Sequence, residues 1–232
     1  MTGVTSPRCP RCTLWHASGP AELRKSPIAE QTMGMPNVQE RRWSVEDVWA
    51  LPEDLSHRYE TVDGELLVSP MPRFVHQRAV TRLGALLIPY VDGARCGELM
   101  FSPHDVVLDP YTLMQPDILV IAPVSAEVVR GEVPPPAPYL AIEVLSPSTA
   151  RADRLRKRPR YQRAAIECWL IDLDSQLIER WTPDEDRPEI CAETLTWQPA
   201  GAAQAFVVDV MVLMRAVLGT DAAEPEGTTV QP

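Results

Sequence analysis

The 232-residue chain is poor in lysine: of its 22 basic residues only Lys25 and Lys157 are lysines, and the other twenty are arginines. It has no apolar run near the roughly 18–20 residues that cross a bilayer, and its N-terminus lacks the apolar core of a signal peptide. No membrane span is expected, and the expected location is cytoplasmic. Positive charge is not in excess either, since 22 Lys+Arg stand against 32 Asp+Glu for a net charge of −10. That total does not mark an obvious nucleic-acid binder, because phosphate contacts need local positive charge. Cysteine is too sparse for a disulfide framework. The five cysteines (Cys9, Cys12, Cys96, Cys168, Cys191) are odd in number and widely spaced, so reduced thiols are expected. Cys9 and Cys12 have zinc-knuckle spacing with His16 following, but no second CxxC accompanies them, which makes a weak metal signal.

What is present points to one folded domain with tails. The length suits a single domain, and 45% hydrophobic residues are enough to bury a core. The 24 prolines are about twice the usual share and favour long ordered loops or tails. Residues 1–40 mix Pro, Ser, Thr and Gly without periodicity and read as a flexible leader, with Met33 and Met35 as alternative starts. The domain is expected over 41–218, and a polar, disordered tail over 219–232.

Within the domain, Ser44 opens a short capped helix with Glu46 and Asp47 in its first turn. Arg58–Val62 and Glu65–Ser69 flank Asp63-Gly64, a strong hairpin signal. Apolar residues recur at helical spacing from Arg73 to about Val91. Strands are expected at 98–101, 105–108, 117–121, 139–145, 168–173, 176–181 and 189–197, and a strand-to-helix ending at 205–218. The prolines at 134, 135, 136 and 138 bar that loop from a central strand. A helix opened by Ser146-Pro147-Ser148-Thr149 carries seven basic side chains between Arg151 and Arg163 against Asp153 alone. This window is +6 and leaves −16 elsewhere; a solvated helix face is the plain reading of such a run. The pattern is mixed α/β, a central mixed sheet flanked by helices.

Two carboxylates sit where a packed strand does not want them. Asp117 begins the apolar run 117–121, and Glu143 interrupts the run 139–145. A buried isolated carboxylate costs several kcal/mol or takes up a proton, so each needs an arginine, hydrogen bonds or a metal ion. On neighbouring strands, the two would form a site for a hard divalent cation such as Mg²⁺, which prefers oxygen ligands. The other reading is a pair of edge-strand charges facing solvent or an arginine. Lys157 is the third element, because an ammonium near an attacking water stabilises charge developing on phosphorus. Its spacing from Asp153 is also that of an ordinary i,i+4 helix pair, and Tyr161 continues the stripe. In a chain that writes its basic positions as arginine, a lysine there stands out, since the two cations are not interchangeable.

Tyr59-Glu60-Thr61-Val62-Asp63-Gly64-Glu65-Leu66-Leu67, Ser69-Pro70-Met71-Pro72 with His76-Gln77, Gln115-Pro116-Asp117-Ile118, Ile142-Glu143-Val144-Leu145-Ser146-Pro147-Ser148-Thr149, Asp153…Lys157…Tyr161 and Cys168-Trp169-Leu170-Ile171-Asp172 together resemble the Uma family of putative restriction endonucleases, within the PD-(D/E)XK nuclease superfamily. The resemblance runs from about Arg41 to Leu218. It implies a restriction-endonuclease-like fold and a metal-dependent DNA endonuclease using Mg²⁺ or Mn²⁺. Asp117 and Glu143 would be the metal carboxylates, Glu65 an accessory acid, and His76 a family histidine. The superfamily lysine two residues after the glutamate is replaced here by Leu145, so Lys157 on the following helix is the candidate substitute. Pro159 cannot donate to the carbonyl of Leu155, so the helix is expected to kink there or to begin a second segment. Arg154, Arg156, Arg158 and Arg160 are expected to contact DNA phosphates, and a homodimer is expected. Ser146, Ser148 and Thr149 are read as helix caps. The alternative is a non-catalytic nuclease-fold module that binds nucleic acid or a protein partner.

Overall fold

The structure is a computed structural model that describes residues 41–220. The leader with Lys25, Cys9, Cys12 and His16, and most of the tail, lie outside the described residues. The chain enters through helix α1 (Val45–Trp49), closed by a capping box in which Ser44 Oγ accepts from the Asp47 amide and Asp47 accepts from the Ser44 amide. Strands β1 (His57–Val62) and β2 (Glu65–Pro70) form the expected hairpin. Its turn has positive φ at Asp63 (54°) and Gly64 (88°), the geometry that Asp-Gly tolerates best. Helix α2 (Phe74–Ala94) follows, then β3 (Glu98–Phe101), β4 (Val106–Asp109), β5 (Thr112–Met114), β6 (Ile118–Ile121), α3 (Ala126–Val129) and β7 (Pro138–Val144). The crossover holds α4 (Ala150–Ala152), a π-helical turn (Asp153–Lys157) and α5 (Arg158–Arg163). It leads to β8 (Glu167–Asp172), β9 (Leu177–Trp181), β10 (Glu189–Cys191), β11 (Thr194–Trp197), β12 (Phe206–Asp209) and α6 (Val210–Leu218).

The main sheet has the order β10-β9-β8-β7-β6-β3, with β7 and β8 parallel and every other neighbour antiparallel. A parallel pair needs a long crossover, and the helix of the basic window supplies it. A four-stranded antiparallel sheet, β2-β1-β5-β4, and the two-stranded ladder β11-β12 complete the fold. Alternation along β7 divides the core. Leu140, Ile142 and Val144 join α2, α6 and the β11-β12 ladder on one face, while Ala141 and Leu145 meet Val62, Met114 and Tyr161 on the other. Glu143 shares that second face, between the main sheet and the small one.

Three local readings are corrected. Residues 189–197 form two short strands in different sheets, not one. The small sheet gains β5, a three-residue strand too short to show a period. Pro138 does enter a central strand, as its first residue opposite Ile121, where the ladder is irregular and its missing N–H is tolerated. Pro159 has the expected effect in an unexpected form. It stands in the first turn of α5, and the turn before it widens to π geometry, a feature frequent at functional sites.

Candidate active site

Asp117 precedes β6, and Glu143 lies in β7. The register pairs Ile118 with Ile142, so Asp117 and Glu143 lie one step beyond that pair, opposite each other on adjacent strands. The Val144 amide donates to Asp117 Oδ2 over 2.8 Å and locks the two strand ends together. Both acids are buried, Asp117 at 4% and Glu143 at 2% exposure. They line a cavity of about 560 Å³ together with Arg58, Glu60, His76, Asp153 and Lys157.

Lys157 is the centre of this cluster. Its side chain is 2% exposed, and Nζ lies 2.8 Å from Glu143 Oε1, 3.0 Å from Glu60 Oε1 and 3.4 Å from Asp153 Oδ1. The helix therefore carries its lysine inward, against the acids, rather than to solvent. Burial alone would lower the ammonium's pKa, but the charges of Glu143, Glu60 and Asp153 override it and hold the pKa well above the ordinary lysine range. Tyr161, one turn further on, donates to Glu143 Oε1 over 2.7 Å, and the Gln115 amide donates to Glu60 Oε1 over 2.7 Å.

Asp117 is held differently. Arg58 approaches Oδ1 with both Nη atoms at 3.3 Å, and His76 Nε2 lies 3.1 Å from Oδ2. Burial would raise the Asp117 pKa, yet His76, Arg58 and the Val144 amide outweigh it and keep the carboxyl below its usual range. Glu143 goes the other way: burial pushes its pKa well up, with Asp153, Asp117 and Glu60 adding to the rise against the pull of Lys157. Asp153 is raised for the same first reason.

A divalent cation fits the donor chemistry of this cluster. Four buried carboxylates (Glu60, Asp117, Glu143, Asp153) face only two permanent cations, Arg58 and Lys157. Burial is the first cause of the raised pKa of Glu143 and Asp153, the neighbouring carboxylate charges add to it, and hard carboxylate oxygens are what Mg²⁺ or Mn²⁺ prefers. As the side chains stand, no group of three or more His, Cys, Asp or Glu among the described residues encloses an ion. Arg58 and Lys157 sit on the oxygens that an ion would use.

The site expected from sequence is assembled in part. Asp117, Glu143, Lys157 and His76 come together. Glu65 does not: it is exposed on β2 and pairs with Arg156 over 3.0 Å, and Glu60, five residues earlier, occupies the acidic position beside Lys157. Glu60 could have been found by the same signal as Glu143, an acid inside a strand; Arg58, two residues before it, falls on the same face. Both were obscured by the polar residues around them.

Most of the basic side chains in the window have acidic partners within the protein. Arg154 is tied to Asp172 and Glu179, each at 2.7 Å. Arg160 binds Asp109 and Asp63, and Arg158 lies over the Trp181 ring with its Nη1 on Gln162. The crossover is wedged between two sheets, so acids from both sheets meet its arginines and spend their charge inside the protein. Arg156 remains half exposed on Glu65. Arg73, exposed before the first turn of α2, lines the cavity and has no ion pair among the described residues.

A mixed sheet that places two buried carboxylates opposite each other on adjacent strands, with a lysine brought onto them by the crossover helix, defines a restriction-endonuclease-like α/β protein. The chain belongs to the Uma2 family, described as "Putative restriction endonuclease", whose model matches residues 45–210. Its fold is similar to the crystal structure of a putative nuclease belonging to DUF820 from Anabaena variabilis. The TM-score is 0.62 at 20% identity, over 75% of this chain and 99% of that one. No curated protein matches. Among the described residues no helix is long and apolar enough to cross a membrane.

Proposed function

We propose that the protein is a divalent-metal-dependent nuclease that hydrolyses phosphodiester bonds of DNA. The observation that carries this reading is the meeting of Glu60, Asp117, Glu143 and Lys157 in one cavity. Membership of a restriction-endonuclease family supports the substrate class.

Asp117 and Glu143 would hold Mg²⁺ or Mn²⁺, with Glu60 assisting. The bound ion would supply positive charge to the phosphate oxygens as negative charge builds there. Lys157, fixed by its carboxylates, would orient the attacking water and add its own charge in a water-poor pocket. Water's oxygen bonds to phosphorus, the bond from phosphorus to one ester oxygen breaks, a buried carboxylate accepts the water's proton, and the leaving oxygen takes a proton from solvent. Tyr161 and the Gln115 amide keep Glu143 and Glu60 in place. Arg73 at the mouth of the cavity is placed to meet a backbone phosphate.

The test is cleavage of linear and supercoiled DNA with Mg²⁺ or Mn²⁺. Wild type should cut, while Asp117→Ala and Glu143→Ala should not. Wild type that leaves all substrates intact, and is indistinguishable from both variants, refutes the proposal. One observation favours a second reading, a non-catalytic nuclease-fold module: both candidate metal carboxylates are already engaged, Asp117 by Arg58 and His76, Glu143 by Lys157 and Tyr161. Calorimetry that finds no Mn²⁺ binding dependent on Asp117 and Glu143 would decide for that module.

A further inference from the structure

We propose that Arg58 trades the carboxylate of Asp117 for a phosphate of the substrate when a divalent cation enters the acidic site; this rests on the metal-dependent nuclease reading above. The two oxygens of Asp117 are held unequally. Oδ2 is pinned by a backbone amide, Val144 N at 2.8 Å, and by the buried His76 ring at 3.1 Å. Among the described residues Oδ1 has only the Arg58 guanidinium, whose Nη1 and Nη2 both reach that one oxygen at 3.3 Å. Charge-assisted hydrogen bonds usually close to about 2.7–2.9 Å, and a guanidinium paired well with a carboxylate uses both oxygens in a parallel fork. Arg58 does neither. Its contact is long and unforked, longer than the 2.8 and 3.0 Å contacts of Lys157 with Glu143 and Glu60, and it falls on the oxygen a cation would need.

Arg58 is also placed to move. Its side chain is 21% exposed, against 2% for Lys157, which three carboxylates enclose. Nη1 is anchored on the Gln115 carbonyl at 3.0 Å, which gives the head a pivot that does not depend on Asp117. Arg58 borders both the 560 Å³ cavity and a larger adjoining groove of about 1520 Å³ that also shares Asp117 and His76. A divalent charge on Asp117 would repel the guanidinium. A half-buried guanidinium left without an anion is costly, and a phosphate in the groove offers the paired oxygens that its fork matches. The same residue thus keeps Asp117 compensated before loading and becomes a substrate ligand afterwards.

Two titrations on Arg58→Gln and Arg58→Lys test this. Calorimetry with Mn²⁺ alone should show about tenfold tighter binding to Arg58→Gln, because one competing charge-assisted hydrogen bond is gone. Fluorescence anisotropy with a short labelled duplex in Ca²⁺, with intact duplex confirmed on a gel, should show about tenfold weaker binding for the same variant. Arg58→Lys, which keeps the charge without the fork, should fall between on both, and melting curves establish that each variant is folded. The signature is the opposite sign of the two changes. Duplex affinity that is unchanged, or that moves in the same direction as Mn²⁺ affinity, makes Arg58 an internal partner of Asp117 only and overturns the proposal. Wild type without Asp117-dependent Mn²⁺ binding fails the metal reading itself and this inference with it. Wild type that binds Mn²⁺ normally while Arg58→Gln changes nothing sinks the exchange alone.

Discussion

Replacing Lys157 with methionine keeps most of the side chain's volume and removes only the charge. In the wild type that charge lies 2.8 Å from Glu143, 3.0 Å from Glu60 and 3.4 Å from Asp153, at 2% exposure. Removing one member of a buried ion pair costs about 3–5 kcal/mol, because the partner is left uncompensated. For a domain of this size each kcal/mol moves the melting temperature by about 2–4 °C, so Lys157→Met should melt roughly 6–20 °C lower at pH 8. The deficit should shrink in acid. The carboxylates left behind will have folded pKa values raised above their unfolded values near about 4.3, as burial already does to Glu143. Between those limits the native state binds protons that the unfolded chain does not, so stability falls as pH rises through that window and is recovered below it. Melting followed by circular dichroism from pH 5 to pH 8, wild type beside variant, reads both effects. A variant that melts within about 2 °C of wild type at pH 8, or whose deficit is the same at every pH, would refute the placement of Lys157 among ionised acids.

Three other perturbations separate the site from its surroundings. Glu60→Gln should lower DNA cleavage by about 100-fold, whereas Glu65→Gln, on the exposed face of β2, should stay within about twofold; equal effects on initial rates would restore Glu65 as the accessory acid. Arg154→Ala should destabilise by roughly 1–2 kcal/mol in urea melts through loss of Asp172 and Glu179, and leave duplex affinity unchanged; a large loss of affinity would return it to the DNA surface. Gly97→Ala places a Cβ 2.1 Å from the Ile121 carbonyl oxygen, where β3 closes on β6. About 2 kcal/mol or more of stability should go, and an unshifted urea midpoint would show that the close approach is absent.

Local structure was legible where local chemistry decides it. Asp63-Gly64 specified the hairpin because few residues accept two successive positive φ values, and Ser44 with Asp47 specified a helix start through two reciprocal hydrogen bonds. Asp117 and Glu143 stood out because an acid in an apolar strand has no inexpensive local answer. Residues 189–197 misled because a two-residue bend between the short strands 189–191 and 194–197 leaves a period-two pattern in step.

By itself the sequence determined the mixed α/β class, the strands that bear Asp117 and Glu143, the break at Pro159 and the singular lysine beside it. Only the tertiary structure decided which charges meet. It brought Glu60 to Lys157, Arg58 to Asp117, and acids from both sheets to the arginines of the crossover. A run of like charge in sequence says nothing about its partners, because ion pairing is set by distance in space and strengthened by burial, and both come from packing sheets that lie far apart along the chain. That is why most of the basic side chains of a +6 window that looked like a docking face are paired with acids of the same protein, and why a lysine that looked like half of a surface helix pair is among the most buried charges of the described residues.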